Sequence, residues 1–176
     1  MTTAANKSGK LPLGMKVLMG FLIFHLLIVL TQTWAFFDYD LMARKKLQEP
    51  RFLADEAVVQ SNRAICAAHS VVMLPLNLMA LAGLARHKFY GVVSTWMLLG
   101  TALYWPVNFV ASRFTYASAG IRHVGLNGGD SGICAFVFLF ACWGSWFLCR
   151  SSSSIEWWKD DYFEKDRQDT PRRKAA

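Results

Sequence analysis

Charged residues are scarce in this chain, and four long stretches lack them altogether. Asp, Glu, Lys and Arg make up 18% of its 176 residues, against roughly 25% in soluble domains. None falls in residues 17–37, 64–85, 89–112 or 132–149. A helix crosses a bilayer core with about 20 predominantly apolar residues. Each stretch is close to that length, and four of them argue against a soluble core. The chain has four cysteines but no C-x-x-C, which removes the usual thiol-oxidoreductase signature. Nucleotide-binding glycine loops, catalytic dyads and metal-binding clusters are also missing from the sequence, and the two halves share no internal repeat.

What is present is hydrophobic residue, 54% of the chain, and a net charge of +7. In a membrane protein basic residues report orientation before they report nucleic acid, so no nucleic-acid partner is expected. Twelve Lys and Arg lie in the two tails and the short 86–88 turn, and seven lie in the other two loops. That split predicts both termini in the cytoplasm. The bilayer is the expected partner, with membrane proteins or further copies of the chain as others. The plasma membrane or endomembrane vesicles are the expected location. A competing reading takes the first stretch as a signal peptide cut after Ala35. Its length, and the aromatic belt of Trp34, Phe36 and Phe37, favour a retained span.

The expected fold class is all-α, a four-helix transmembrane bundle over residues 15–149 with a short interfacial C-terminal helix. The predicted spans are 15–37, 64–85, 89–112 and 130–149. Residues 1–14 read as a disordered cytoplasmic tail, so the Asn6-Lys7-Ser8 glycosylation pattern is discounted. In the charged loop before the second span, Phe52, Ala57, Val58 and Val59 have helical spacing, which predicts a helix running into that span. The turn at 85–88 makes the second and third spans antiparallel neighbours. Residues 150–176 form a second cytoplasmic tail, in which Ser153 and Glu156 fit a capping box. Ile155, Trp157, Trp158, Tyr162 and Phe163 then predict a surface-lying helix anchored in the headgroup zone.

Polar groups at bilayer depth are candidate sites by default. Four are singled out: His25, His69, Asn77 and Asn108. Two membrane histidines raise the question of haem. His25 lies roughly 18 Å from the end of its span and His69 roughly 8 Å, at 1.5 Å per residue, and that mismatch argues against axial ligation. Cofactors are therefore expected to be none, with no catalytic or metal residues assigned. Asn77 follows Pro75, and Asn108 follows Pro106. An amide beside a proline can satisfy the carbonyl that the proline leaves unpaired, or bond to a facing helix. Cys66 and Cys134 lie near the same end of their spans and are a candidate disulfide, the commoner alternative being two buried thiols. Cys149, beside Arg150 at the opposite boundary, is a candidate for palmitoylation.

Gly128, Asp130, Ser131, Ala135, Phe138 and Phe140 give the pattern G-x-D-S-x-x-x-A-x-x-F-x-F. It resembles the last transmembrane segment of synaptogyrin-type proteins of the MARVEL tetraspan group. Trp96, Tyr104, Trp105 and Asn108 in the preceding span are similar in aromatic content. The first span and the charged loop depart from the family. The resemblance brings no catalytic residues and implies a role in vesicle or membrane organisation. The leading expectation is thus a non-enzymatic tetraspan protein that organises membranes or escorts partners. Its rivals are a small membrane enzyme or carrier with a polar cavity, and an accessory subunit of a membrane complex. Convergence of the four polar residues on one interior pocket would favour the cavity.

Overall fold

The computed structural model describes residues 11–151, and among these it is all helical. The expected interfacial helix at 155–163 and most of the N-terminal tail lie outside the described residues. The elements are α1 (Leu13–Phe37), α2 (Tyr39–Arg44), a 3-10 turn (Arg51–Leu53), α3 (Glu56–Ala68), α4 (Leu74–Ala85), α5 (Phe89–Ser118) and α6 (Gly128–Ser151). A single π turn, His69–Met73, joins α3 to α4, so Glu56–Ala85 is one continuous rod. Among the described residues, three helices are long and apolar enough to cross a membrane: α1, the α3–α4 rod and α6.

Their surfaces say why the chain needs lipid. A helix that is apolar all round belongs in a large core or in a bilayer. On α1, Leu13 is 77% exposed, and Ile23, Leu27, Leu30 and Trp34 are exposed with it. Val71, Val72 and Leu78 on the second rod, and Phe136, Leu139 and Trp146 on α6, also point outward. Contiguous apolar surface on this scale is not stable in water.

Inside, α4 packs on α5, α5 on α6, and α1 on both α3 and α4. The contact of α1 with α6 is aromatic: Phe21 stacks on Phe140 with ring centroids 4.1 Å apart. Leu18, Leu22, Leu84, Leu98, Leu99 and Leu148 fill the shared core. Gly144 lets α6 approach, since a Cβ there would lie 3.0 Å from both Leu18 and Leu99 side chains. The tightest approach is between α4 and α5. A Cβ on Gly83 would lie 2.4 Å from the Gly91 backbone, and one on Gly91 would lie 2.4 Å from Gly83. Only glycine allows backbones to approach so closely.

Three helices end in the same way. Lys88 N–H donates to Gly83 O at 2.8 Å and His87 N–H to Leu84 O at 3.2 Å, with His87 at φ 54°. These are the 6→1 and 5→2 bonds of a Schellman motif. The same pair of bonds closes α2, with Lys46 at φ 59°, and α5, with Gly120 at φ 67°. At the other ends, Asp38 accepts from Leu41 N–H at 2.9 Å to start α2. Asn127 accepts from Asp130 N–H at 2.8 Å and donates to the Asp130 carboxylate at 2.9 Å, a reciprocal cap for α6.

Two expectations need correction. The third rod does not stop at Ser112 but continues to Ser118. Arg113 pairs with Glu49 there, and Tyr116 packs against a second apolar cluster of Tyr39, Ala54, Val58 and Val59, so this extension is held by partners rather than by lipid. Phe52 is not on the buried face of a lead-in helix. It sits in the 3-10 turn, 74% exposed, while Val58 and Val59 are buried. Residues 38–55 and 119–127 together form a cap over one end of the rods. Ion pairs tie it down: Arg51 with Asp40 and Glu56, Arg113 with Glu49, and Arg122 with Asp55. The backbones join too, Asp55 N–H donating to Arg122 O and Arg122 N–H to the Asp55 carboxylate, each at 2.8 Å.

Candidate functional site

A cavity of about 580 Å³ opens beneath the cap, between α1, α3, α5 and α6. Small-molecule sites run from about 300 to 1,000 Å³. Its walls divide by depth. Towards the cap lie Lys46, Glu49, Arg113, Asn127 and Asp130, and deeper lie Val29, Met73, Ala102, Ile133 and Val137. His25, His69 and Asn108 all line it. Asn77 stands behind His25, wholly buried, rather than in the wall. Three of the four polar residues expected from sequence therefore share one cavity, and the fourth supports it. The difference in depth between His25 and His69 is real along their helices, but the cavity is long enough to reach both.

Each histidine is held by an amide on another helix. The Asn77 amide nitrogen is 2.7 Å from His25 Nδ1 and 3.3 Å from Met73 O. An amide nitrogen can only donate, so His25 Nδ1 accepts and the neutral ring carries its proton on Nε2. The reverse holds for His69, whose Nδ1 is 2.5 Å from the Gln32 side-chain oxygen. That oxygen can only accept, so His69 Nδ1 donates and Nε2 is left as an acceptor. The two rings thus take opposite tautomers. Next to His69, the Ser70 and Thr33 hydroxyls lie 2.9 Å apart. His69 and Ser70 open the π turn, in which Leu74 N–H donates back to His69 O. Pro75 has no N–H to continue the ladder at that point. Single π turns inside α-helices recur at functional sites, and this one borders the cavity.

The polar end is built around one ion pair. Arg113 Nη2 bonds Glu49 Oε1, and both side chains are only 11% exposed. Arg113 also lies over the Phe109 ring, 4.7 Å from its centroid. Among the described residues, Arg113 Nη1 and Glu49 Oε2 are buried without a hydrogen-bond partner. Glu49, an acid of the charged loop, is thus a structural member of the site.

Cys66 and Cys134 also line the cavity, both as buried free thiols. Cys149 is exposed near the end of α6, next to Arg150. Among the described residues, no group of three or more His, Cys, Asp or Glu is gathered that could hold a metal ion. Sequence reasoning missed most of the α5 contribution. Thr101, Trp105, Asn108, Ser112 and Tyr116 line the cavity at helical spacing, with Phe109 and Arg113 beside them. The signal was readable: α5 is a long rod that falls outside the composition of a membrane span, and its polar residues Thr101, Asn108 and Ser112 line the cavity. Gln32, a polar residue inside the first span, carried the same signal and was passed over, whereas Gln48 and Glu49 had none, since their place depends on the cap.

No protein-family model, curated protein or solved structure matches this chain.

Proposed function

We propose that this chain is a four-span membrane protein, with both termini in the cytoplasm, that binds a small amphipathic molecule within the bilayer. On this reading α5 is the fourth span, and the four rods form a transmembrane four-helix bundle. Its polar residues are tolerated because they face a cavity and not lipid. One observation carries the binding reading: the cavity runs from a charged end under the cap to a mainly apolar end between the rods, where His25 and Thr101 are the polar groups, with His69 and Asn108 between. That gradient matches a molecule with a polar head and a hydrocarbon body. Carriage or sensing of such a molecule fits better than catalysis, since no nucleophile paired with a base is found among the groups at the cavity. The reading as a vesicle or membrane organiser rests on the MARVEL-type resemblance of α5 and α6 alone. The cavity gives ligand binding an observation of its own.

The test is photolabelling in lipid nanodiscs with a dodecyl-chain probe that carries a photoactivatable group at its chain end. Adducts are expected at buried cavity residues such as Val29, Ala102 and Val137, and they should be lost when Ala102→Trp fills the apolar end. Adducts confined to exposed residues such as Tyr104, Leu139 and Trp146 would overturn the proposal.

A further inference from the structure

The seam between α1 and α6 changes along its length. Facing residues of the two helices form a series of rungs. Gly14 faces Phe147 so closely that a Cβ on the glycine would meet the ring. Leu18 faces Gly144, where a Cβ would lie 3.0 Å from the leucine side chain. Phe21 then stacks on Phe140 with centroids 4.1 Å apart, and Phe24 meets Phe136 edge-on at 6.3 Å. The rungs advance by three or four residues on each helix, the spacing of one helical face. The same step leads next to Ile28 and Ile133, and then to Thr31 and Asp130. There the seam parts: all four residues line the cavity, and Ile133 is 51% exposed. A groove of about 260 Å³, lined by Gly20 and the four phenylalanines, follows the exposed side of the seam up to Phe24 and Phe136.

We infer that this opening is a lateral portal, through which a single-chain lipid dissolved in the bilayer reaches the cavity over Phe24 and Phe136. The inference rests on the reading of the cavity as an amphiphile site, and adds the phase from which the ligand comes. The other route runs through the cap. There Arg122 and Asp55 are joined through backbone and side chain, and Lys46 and Glu49 stand at the polar end. A hydrocarbon chain drawn past these charges would displace their water without replacing its hydrogen bonds. Over the phenylalanines the chain exchanges one apolar contact for another. Phe24 and Phe136 are exposed and meet edge-on, so a change of rotamer moves either ring aside. Leu18 and Phe21 are buried and keep the helices together below them. The rim suits the two ends of such a lipid, with Thr31 and Asp130 on the path of its head and the rings beneath its chain.

The experiment closes the portal and asks whether the cavity still fills. Ile28→Cys and Ile133→Cys are introduced together, with the four native cysteines replaced by alanine, and are bridged in nanodiscs by bis-maleimides of increasing length. Bridging before the dodecyl probe is added should slow adduct formation at Val29, Ala102 and Val137 by about tenfold or more, as when a gating step limits entry. Bridging after the probe is loaded should instead trap it, so that adducts survive washing with probe-free vesicles. Slowing without trapping overturns the portal, because a bridge that merely fills the cavity gives that result. Unchanged labelling of the bridged protein, or failure of every length to join the two residues, overturns the portal and leaves amphiphile binding intact. Absence of cavity labelling in the wild-type protein overturns the binding reading itself. If the variant does not fold, the wild-type protein carries the test. A phospholipid with the photoactivatable group part-way along one acyl chain stays in the bilayer, and should label Ile28 and the buried Val29 through the seam. Adducts that stop at Phe24 and Phe136 overturn the portal.

Discussion

Asn77 shows how much one amide can do in a membrane. It spans the gap between α4 and α1, donating to the His25 ring and to the Met73 carbonyl. Interhelical side-chain bonds in membranes average about 0.6 kcal/mol and reach roughly 1.7. Asn77→Leu is expected to cost about 1–2 kcal/mol in a reversible unfolding assay. It should also let the His25 ring rotate, seen as a changed imidazole tautomer signal in solid-state NMR. An unchanged signal would mean that Asn77 does not set the tautomer. Tyr39 offers the opposite case. Its hydroxyl is buried and has no hydrogen-bond partner among the described residues, with Asn62 beside it but outside bonding geometry. Burial pushes its phenol above the ordinary value of 10.0. The folded state therefore holds this proton more tightly than the unfolded state. Its contribution is complete below pH 10 and is lost as pH rises through the folded value. Tyr39→Phe should remove that part of the alkaline loss and leave neutral-pH stability unchanged or higher, as read by melting temperature between pH 8 and 11.

Among the elements, the α4–α5 hairpin is the most constrained. Gly91→Ala must push apart two backbones that leave 2.4 Å for the new carbon. Overpacking of this kind costs about 1–3 kcal/mol, and no flexible side chain is available to yield. Gly100→Ala, where nothing lies within 4 Å, is the matched control and should be neutral or slightly stabilising. Equal effects in thermal unfolding would refute the close approach. The hairpin was legible in the sequence, because three polar residues, Arg86, His87 and Lys88, between two apolar runs allow only a tight antiparallel turn. The apolar runs themselves were legible because lipid demands length and lack of charge, both local properties. The cap was not legible. Glu49 finds Arg113 across 64 residues, and no local pattern encodes a partner at that distance. Asn108 was recognised as polar at depth, but its neighbours Thr101 and Ser112 were passed over as ordinary residues of a span.

For the whole molecule, the distribution of charge makes two statements. Basic residues predict that tags on Met1 and Ala176 are protected or digested together in sealed vesicles, and opposite fates would rule out an even number of spans. The cap makes the second statement, since two of its ion pairs, Arg113–Glu49 and Arg122–Asp55, join segments far apart in the chain. The Arg113–Glu49 pair is the deepest of them. Removing one partner of a buried pair costs about 3–5 kcal/mol, because the other is left charged and alone. Glu49→Leu and Arg113→Leu should each be costly, and the double variant should cost less than their sum. Additive losses in a double-mutant cycle would mean that the two side chains do not interact. Arg122→Ala, by contrast, removes a largely exposed partner of Asp55 and should change stability by less than about 1 kcal/mol.

The separation of Glu49 from Arg113 also sets a clock on synthesis. A ribosome adding roughly 5–20 residues per second takes about 3–13 s to cover the distance between them. During that interval Glu49 has been made and its partner does not yet exist. The acid must therefore wait in water, at the mouth of an unfinished bundle, and the cap cannot close around it. Only when α5 is nearly complete does Arg113 arrive to draw Glu49 inward. The cavity closes later still, because α6, which brings Asp130, Cys134 and Val137 to its wall, is made after Arg113.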